Sequence, residues 1–175
     1  MDDDVTGARV DVTLTVDMAP ERFWDLVTDV SRISEWSPEC TYAAWLEDGD
    51  PVVRAGARFE GRNQFPNGFV SSVTCVVTEA VWPSTFAFVV LDGQGDPERP
   101  GSVWRYEMSP ADSPERSVVR HSFVHGPGNT GARRAAQVDP VSFAGRLDAL
   151  RDNMTATVMA MTRGDDNTCT TEEGR

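Results

Sequence analysis

The sequence contains no lysine, so each of its 16 basic side chains is an arginine. Arginine codons are rich in G and C, and the bias indicates a bacterial genome of high GC content rather than selection for arginine chemistry. The 28 acidic residues outnumber the arginines and give a net charge of -12. This balance argues against nucleic-acid binding, which needs clustered basic side chains. It argues equally against binding to an anionic membrane surface.

Long apolar runs and paired cysteines are also missing. No stretch approaches the ~20 apolar residues that a membrane-spanning helix needs, and the N terminus lacks the basic region and apolar run of a secretory signal. The three cysteines, Cys40, Cys75 and Cys169, are odd in number and widely spaced, which suits reduced thiols. We therefore expect a cytoplasmic protein without disulfides.

The chain of 175 residues is long enough for one domain with a substantial core. Acidic residues are concentrated at both ends, which is typical of solvated tails. We predict an N-terminal tail over residues 1–7, one domain over residues 8–163 and a C-terminal tail over residues 164–175.

The first part of the domain combines one strand with two short helices. Apolar and polar residues alternate from Val10 to Val16, which predicts a half-buried strand. A helix follows from Pro20, which stands at a tolerated first-turn position. A second short helix runs from Ser31 to Trp36 and ends before Pro38, because the residue preceding a proline is pushed out of the α region.

From residue 41 onwards the hydrophobic period is mostly two, and clusters of Gly, Pro, Asp and Ser separate the segments. We predict six further strands, near 41–47, 57–65, 69–81, 85–91, 102–109 and 117–125. Residues 125–137 are assigned to a connection of unknown role. A long helix then runs from Pro140 to about Arg163, with Phe143, Leu147, Leu150, Met154, Val158 and Met161 on its apolar face.

This order predicts an α+β fold in which one long helix lies across a curved, seven-stranded antiparallel sheet. Seven strands at ~4.8 Å spacing are roughly 30 Å across, and a helix of about 24 residues is roughly 36 Å long. One helix can therefore cover the whole sheet. A sheet that is closed by one helix and two small ones need not fill its interior, so we expect a cavity.

Several segments resemble the START-like, or SRPBCC, superfamily, and in particular its actinobacterial polyketide cyclase/dehydrase group. The resemblance spans residues 8–163 and rests on VDMAPERFWDLVTDVSRISEWSPEC, GARFEGRNQF, TCVVTE, FAFVV and VWRYEM. It implies a helix-grip fold, in which the curved sheet wraps the C-terminal helix around an apolar cavity. Two segments depart from the usual pattern, NQFPNGFVSS and RHSFVHGPGNTGARRAAQ, so ligand identity cannot be carried over.

The residue types suggest which side chains line the cavity. Aromatic and methionine side chains suit a flat, apolar ligand, and the candidates are Trp36, Tyr42, Trp45, Phe88, Trp104, Tyr106, Met154 and Met161. Each of them has core packing as its alternative. Trp36 in particular is either a plug where the second helix ends or part of the cavity wall.

His121, Tyr42 and Asn63 are the candidate catalytic groups, as acid, base or oxyanion donor. His125 lies four residues after His121, ~13 Å along a strand, which is too far for both to hold one metal ion directly. We expect no metal site and no cofactor. Each histidine is either a polar anchor or general base in the cavity, or a side chain satisfied by the backbone.

The resemblance leaves two classes of function open. Family members bind lipids, sterols or polyketides, or cyclise aromatic polyketides, and one branch protects an antibiotic producer by giving up a glycine Cα hydrogen to an enediyne. For that last role Gly93 and Gly95 are the candidates, although the simpler interpretation of both is a hairpin loop. We favour binding or sequestration of a hydrophobic natural product over an aromatase/cyclase or dehydratase activity.

Overall fold

The computed structural model describes residues 5–47 and 52–164. The predicted boundary at residue 7 lies within packed structure, since Val5 is buried and the amide of Gly7 donates to the carbonyl of His125 at 2.8 Å. Residues 1–4 and 165–175, which include most of both predicted tails and Cys169, lie outside the described residues.

The described residues form seven strands and three α-helices. The strands are β1 (Arg9–Val16), β2 (Cys40–Trp45), β3 (Arg58–Gln64), β4 (Val70–Val81), β5 (Thr85–Val90), β6 (Ser102–Pro110) and β7 (Ser117–His125). The helices are α1 (Pro20–Thr28), α2 (Gly131–Val138) and α3 (Pro140–Gly164), and a 3₁₀ helix spans Val30–Glu35. The predicted strands all exist, with ends that differ by at most two residues.

The strands form one antiparallel sheet in the order β1-β7-β6-β5-β4-β3-β2. The chain thus places its first strand beside its last, and β2 forms the opposite edge. The long helix α3 packs on the inner face, where Leu150 and Met154 contact Val10, Val12 and Phe123. The predicted fold class, a curved sheet with a long C-terminal helix and short N-terminal helices, is confirmed.

Helix α2 corrects the prediction of a connection over residues 125–137. The hydroxyl of Thr130 accepts a hydrogen bond from the amide of Arg133 at 3.1 Å and caps the helix. The signal was present in the sequence, because Thr130 precedes a run of alanines and arginines with high helix propensity. The glycines at positions 126, 128 and 131 and the short length of the helix obscured the pattern.

The two faces of the sheet differ in chemistry. The outer face carries a ladder of charges across β1, β7, β6 and β4, in which Arg105 pairs with Glu79 and Glu107, while Arg120 pairs with Glu107 and Asp11. Arg105 and Glu107 therefore point away from the side of the sheet that carries Trp104 and Tyr106. The inner face is apolar and forms the core with α1 and α3.

The second half of α3 is buried more deeply than the first. Leu150, Met154, Val158 and Met161 are buried, whereas Phe143 and Leu147 are half-buried. The apolar face of this helix therefore extends beyond the part of the sheet that covers it. Among the described residues, no helix is long and apolar enough to cross a membrane.

Candidate ligand-binding cavity

A cavity of about 310 Å³ lies between the inner face of the sheet and α3. Every second residue of the central strands contributes to its wall, from Phe59 to Asn63 in β3 and likewise in β4, β5 and β6. Helix α3 contributes Leu150, Asn153, Met154 and Thr157, which share one face of the helix. None of the described residues in the wall is Asp, Glu or Arg.

Aromatic rings form a continuous row along this wall. The ring of Phe59 lies 5.1 Å from that of Phe88 in an edge-to-face arrangement, and Phe88 lies nearly parallel to Trp104 at 6.5 Å. Phe86 packs beside Phe88 at 5.7 Å. Such a surface favours contact with a flat, apolar molecule.

His121 of β7 also faces the cavity, and its ring is stacked on Tyr106. The two ring centroids are 3.8 Å apart with an interplanar angle of 14°, because the residues are direct partners in the β6–β7 pair. Trp104 lies 5.5 Å away on the same strand as Tyr106. His121 is 3% exposed, and neither of its ring nitrogens has a hydrogen-bond partner among the described residues.

Burial sets the protonation state of this stacked pair. It lowers the pKa of His121 to about 3, so the imidazole is neutral at physiological pH. Burial also raises the pKa of the Tyr106 hydroxyl, which stays protonated. The cavity therefore presents neutral hydrogen-bonding groups and no fixed charge.

The remaining polar groups of the wall are largely engaged with one another. The Asn63 amide donates to the Ser71 hydroxyl across the β3–β4 pair at 3.4 Å, and the Trp104 indole donates to the Ser102 hydroxyl at 3.1 Å. Burial raises the pKa of the Cys75 thiol to about 12 and also raises that of Cys40. Both thiols are therefore protonated, which is typical of unreactive cysteines.

An ion pair stands at the edge of the cavity. Arg146 of α3 donates to both carboxylate oxygens of Glu39, which also accepts from the Asn153 amide at 3.0 Å. The Arg146 guanidinium lies 5.2 Å from the ring centroid of Phe65, in the connection between β3 and β4. Phe65 and Asn153 line both the cavity and an adjoining groove, so this cluster lies where the two meet.

The structure brings six of the predicted site residues together in the wall. They are Asn63, Phe88, Trp104, Tyr106, His121 and Met154. In β3 it is the face with Phe59, Gly61 and Asn63 that lines the cavity.

Trp36, Trp45 and Met161 lie outside the wall. Trp36 is buried in the core with the Arg32 guanidinium 4.8 Å from its ring centroid, which is the arrangement of a core plug. Trp45 lies beside the wall on the same face of the sheet as Phe59, with the two rings 5.4 Å apart. Met161 is fully buried in the main core.

Tyr42 lies on the opposite face of the sheet, which corrects its assignment to the cavity. It is 41% exposed, and the Arg62 guanidinium lies 4.6 Å from its ring centroid. The pairing register of β2 shifts between Cys40 and Tyr42. After this shift Tyr42 points to the outer face, and the next residue, Ala43, is the one buried in the interior.

Gly93, Gly95 and His125 are not part of the wall either. Both glycines lie in the exposed loop between β5 and β6, where Gly95 adopts a positive φ of 75° that favours glycine. The ring nitrogens of His125 lie 3.0 Å from the Gly126 carbonyl oxygen and 3.1 Å from the Thr130 hydroxyl. His125 therefore holds the connection to α2 in place.

Four further wall residues, which are not among the predicted site residues, also follow the sequence pattern. Phe59 and Gly61 share a strand face with Asn63, and strict alternation would have placed both in the wall. Asn153 and Thr157 interrupt the apolar face of α3 at helical spacing from Leu150, and polar residues in such a position mark a cavity or a buried contact. Within residues 5–47 and 52–164, no cluster of His, Cys, Asp or Glu is suited to hold a metal ion.

Comparison with known proteins identifies the family. The model of the polyketide cyclase/dehydrase and lipid transport family matches residues 7–158. The chain belongs to this family. No curated protein matches the sequence significantly.

Solved structures with the same fold include other polyketide cyclase-like proteins. A Polyketide_cyc-like protein from Corynebacterium glutamicum is 26% identical and superposes with a TM-score of 0.57, over 91% of this chain and 92% of the other. The di-domain aromatase/cyclase StfQ of the steffimycin pathway is 15% identical, with a TM-score of 0.59 over 91% of this chain and 49% of that one. BexL, the di-domain aromatase/cyclase of the BE-7585A pathway, is 11% identical, with a TM-score of 0.60 over 97% and 52%.

The chain thus spans about half of each di-domain aromatase/cyclase, and these two likenesses show a common fold. Membership of the polyketide cyclase/dehydrase and lipid transport family supports a polyketide-related role, either in binding or in cyclisation. In this member of the family, the candidate site is the aromatic cavity with the neutral His121–Tyr106 pair.

Proposed function

We propose that the protein binds a hydrophobic small molecule, a polyketide or a related natural product, in the cavity between the sheet and α3. The observation that carries the proposal is a cavity of about 310 Å³ with an aromatic, uncharged wall and one buried histidine that has no hydrogen-bond partner in the described part of the chain. Pockets of ~300–1,000 Å³ with apolar walls and few polar groups are typical of small-molecule sites.

Several features favour binding over turnover. A general base works best when its pKa lies near the operating pH, whereas burial lowers the pKa of His121 to about 3. The Cys40 and Cys75 thiols are kept protonated by burial and are poor nucleophiles. The wall groups are suited to hold a neutral ligand.

Intrinsic tryptophan fluorescence tests the proposal directly, because Trp104 lines the cavity while Trp82 is 64% exposed on the β4–β5 turn. We expect an aromatic polyketide to quench the emission of the wild-type protein and to raise its Tm. The quenching should be lost in Trp104→Phe and kept in Trp82→Phe, which serves as the matched control. Equal quenching in both variants, or no Tm shift with any aromatic polyketide, would count against the proposal.

The alternative function is an aromatase/cyclase or dehydratase. Its support is the family match together with Asn63 and His121 in the wall. Incubation with a poly-β-ketone analogue, followed by mass spectrometry of the products, tests for turnover. Loss of product in His121→Ala but not in Tyr42→Phe would favour the enzyme, because Tyr42 lies on the outer face.

A narrower form of the binding proposal is self-protection of an antibiotic producer, including sacrifice of a glycine to an enediyne. The enediyne-derived diradical would take a Cα hydrogen, and dioxygen would add to the remaining carbon radical before the chain breaks. Gly61 is the glycine in the cavity wall, whereas Gly93 and Gly95 lie in an exposed loop. Mass spectrometry after enediyne exposure should find cleavage at Gly61, and an intact chain would exclude this form.

A further inference from the structure

His121 is unusual among the buried polar side chains of the protein. Most buried polar atoms in folded proteins have a hydrogen-bond partner, and leaving one unpaired is costly. Both ring nitrogens of His121 lack a partner among the described residues, although the side chain is only 3% exposed. The other buried histidine, His125, has contacts at both of its ring nitrogens.

The surroundings explain why the protein itself does not satisfy this ring. Tyr106 presents the face of its ring to the imidazole rather than its hydroxyl group, with the planes 14° apart. Trp104 is the other aromatic neighbour, and its indole N–H is already donated to Ser102. The described residues therefore leave the hydrogen-bonding capacity of His121 unused, and the residue belongs to the cavity wall.

The charge of the wall limits the chemistry of that molecule. No Asp, Glu or Arg side chain among residues 5–47 and 52–164 lines the cavity, and the nearby Arg146 is already paired with Glu39. A buried carboxylate or phosphate would find no cation there, and burying an unpaired charge is strongly unfavourable. A neutral imidazole offers one N–H donor and one acceptor, which match a hydroxyl group or a carbonyl oxygen.

We infer that His121 is a specificity-determining residue of the cavity, and that it selects a neutral ring compound bearing a hydroxyl or carbonyl group. Both the bare hydrocarbon and the carboxylate are disfavoured. The inference rests on the proposed binding function and adds the substrate class to it. Sites that hydrogen-bond a polar group discriminate strongly against an analogue that lacks it, because buried polar groups are then left unpaired.

Three probes on one ring system test the inference: 2-naphthol, naphthalene and 2-naphthoate, measured by equilibrium dialysis at neutral pH. For the wild-type protein we expect 2-naphthol to bind roughly tenfold more tightly than naphthalene, and 2-naphthoate to bind most weakly. Tight binding of 2-naphthoate, or equal binding of 2-naphthol and naphthalene, would overturn the inference. If none of the probes binds to the folded protein, the binding proposal itself fails and the inference fails with it.

Two variants then assign the effect to the imidazole. In His121→Phe the preference for 2-naphthol over naphthalene should disappear, while naphthalene binds at least as well as before. In Tyr106→Phe, which keeps the stacked ring and removes only the hydroxyl, the preference should persist. A preference that survives in His121→Phe, or that is lost only in Tyr106→Phe, would contradict the role of His121. The comparison of the three probes on the wild-type protein tests the inference even if neither variant folds.

Discussion

The guanidinium of Arg146 donates to both carboxylate oxygens of Glu39, at 2.5 and 2.7 Å, and thereby ties the loop ahead of β2 to the long helix α3. The Glu39 side chain is only 15% exposed, and it also accepts a hydrogen bond from Asn153 in the cavity wall. We therefore expect this ion pair to stabilise the fold and to close that side of the cavity.

Glu39→Gln should loosen that closure. Removing the charge leaves Arg146 without its ionic partner in a half-buried position, and we expect a loss of about 1–3 kcal/mol in the free energy of unfolding. Ligand association and dissociation should both become faster, with a smaller change in Kd. Urea denaturation and stopped-flow fluorescence measure the two effects.

Asp148→Asn is the matched control for Glu39→Gln. Asp148 pairs with Arg151 on the same helix, but their side chains are 78% and 52% exposed. An exposed pair of this kind contributes less than about 1 kcal/mol. Equal losses of stability in both variants, or unchanged ligand kinetics in Glu39→Gln, would show that the Glu39 pair does not close the cavity.

The buried His121 should make stability depend on pH. Burial lowers its pKa from 6.5 to about 3 in the folded protein, so between these values the unfolded chain binds the extra proton and the folded protein does not. Stability is therefore lost as the pH falls from 6.5 towards 3, by up to ~1.4 kcal/mol per pH unit from this group. The Tyr106 hydroxyl that is stacked beside it stays protonated throughout this window, because burial raises its pKa.

The free energy of unfolding of the wild-type protein and of His121→Phe, measured by urea denaturation across that pH range, isolates this contribution. The difference between the two proteins should grow in favour of the variant as the pH falls. His121→Phe should also be at least as stable as wild type at neutral pH, since it removes two unpaired polar atoms from the interior. Parallel stability curves would mean that His121 titrates normally in the folded protein.

Substitution of Trp36 tests whether this residue is a core plug or part of the cavity wall. It is buried beside the end of the 3₁₀ helix and does not line the cavity. Trp36→Ala should cost about 3–5 kcal/mol in the free energy of unfolding, while the folded fraction keeps the Kd of the wild-type protein for an aromatic ligand. A large loss of affinity at a temperature where the variant remains folded would assign Trp36 to the site instead.

Local patterns were sufficient to locate most of the strands and helices. Period-two alternation located all seven strands, and Pro20, Pro38 and Pro140 marked helix boundaries, because these signals depend only on neighbouring residues. Helix α2 was missed because its apolar contacts are few and its capping residue, Thr130, follows a glycine-rich turn. A resemblance that spanned the whole chain then turned a list of elements into a topology.

The site was harder to predict because its geometry depends on distant contacts. Alternation placed Trp104 and Tyr106 on one face, but the register shift after Cys40 turned Tyr42 outwards, and no local signal records such a shift. The pair of Glu39 and Arg146 joins residues 107 positions apart. The sequence indicated His121 as a candidate site residue. That its ring nitrogens lack a hydrogen-bond partner among the described residues follows only from the three-dimensional arrangement of the rings around it.

Gly61 offers a way to fill the cavity without damaging the fold. It lines the wall in β3, and a Cβ atom built there would meet only the Val73 side chain, at an ordinary contact distance of 3.6 Å. Gly61→Val should therefore preserve or raise Tm, because a β-branched residue suits a strand and fills empty space. Its side chain should at the same time weaken ligand binding at least tenfold by occupying the space of the ligand.

Gly126→Ala is the contrasting variant, since a Cβ atom there would lie 2.2 Å from the Pro100 carbonyl oxygen. We expect it to lower Tm sharply, because the clash involves backbone that cannot move aside cheaply, although Gly126 is not part of the cavity wall. Thermal unfolding and equilibrium dialysis with 2-naphthol separate the two effects. If Gly61→Val retains full affinity while remaining folded, the ligand does not occupy the space in front of β3, and the cavity between the sheet and α3 is not its binding site.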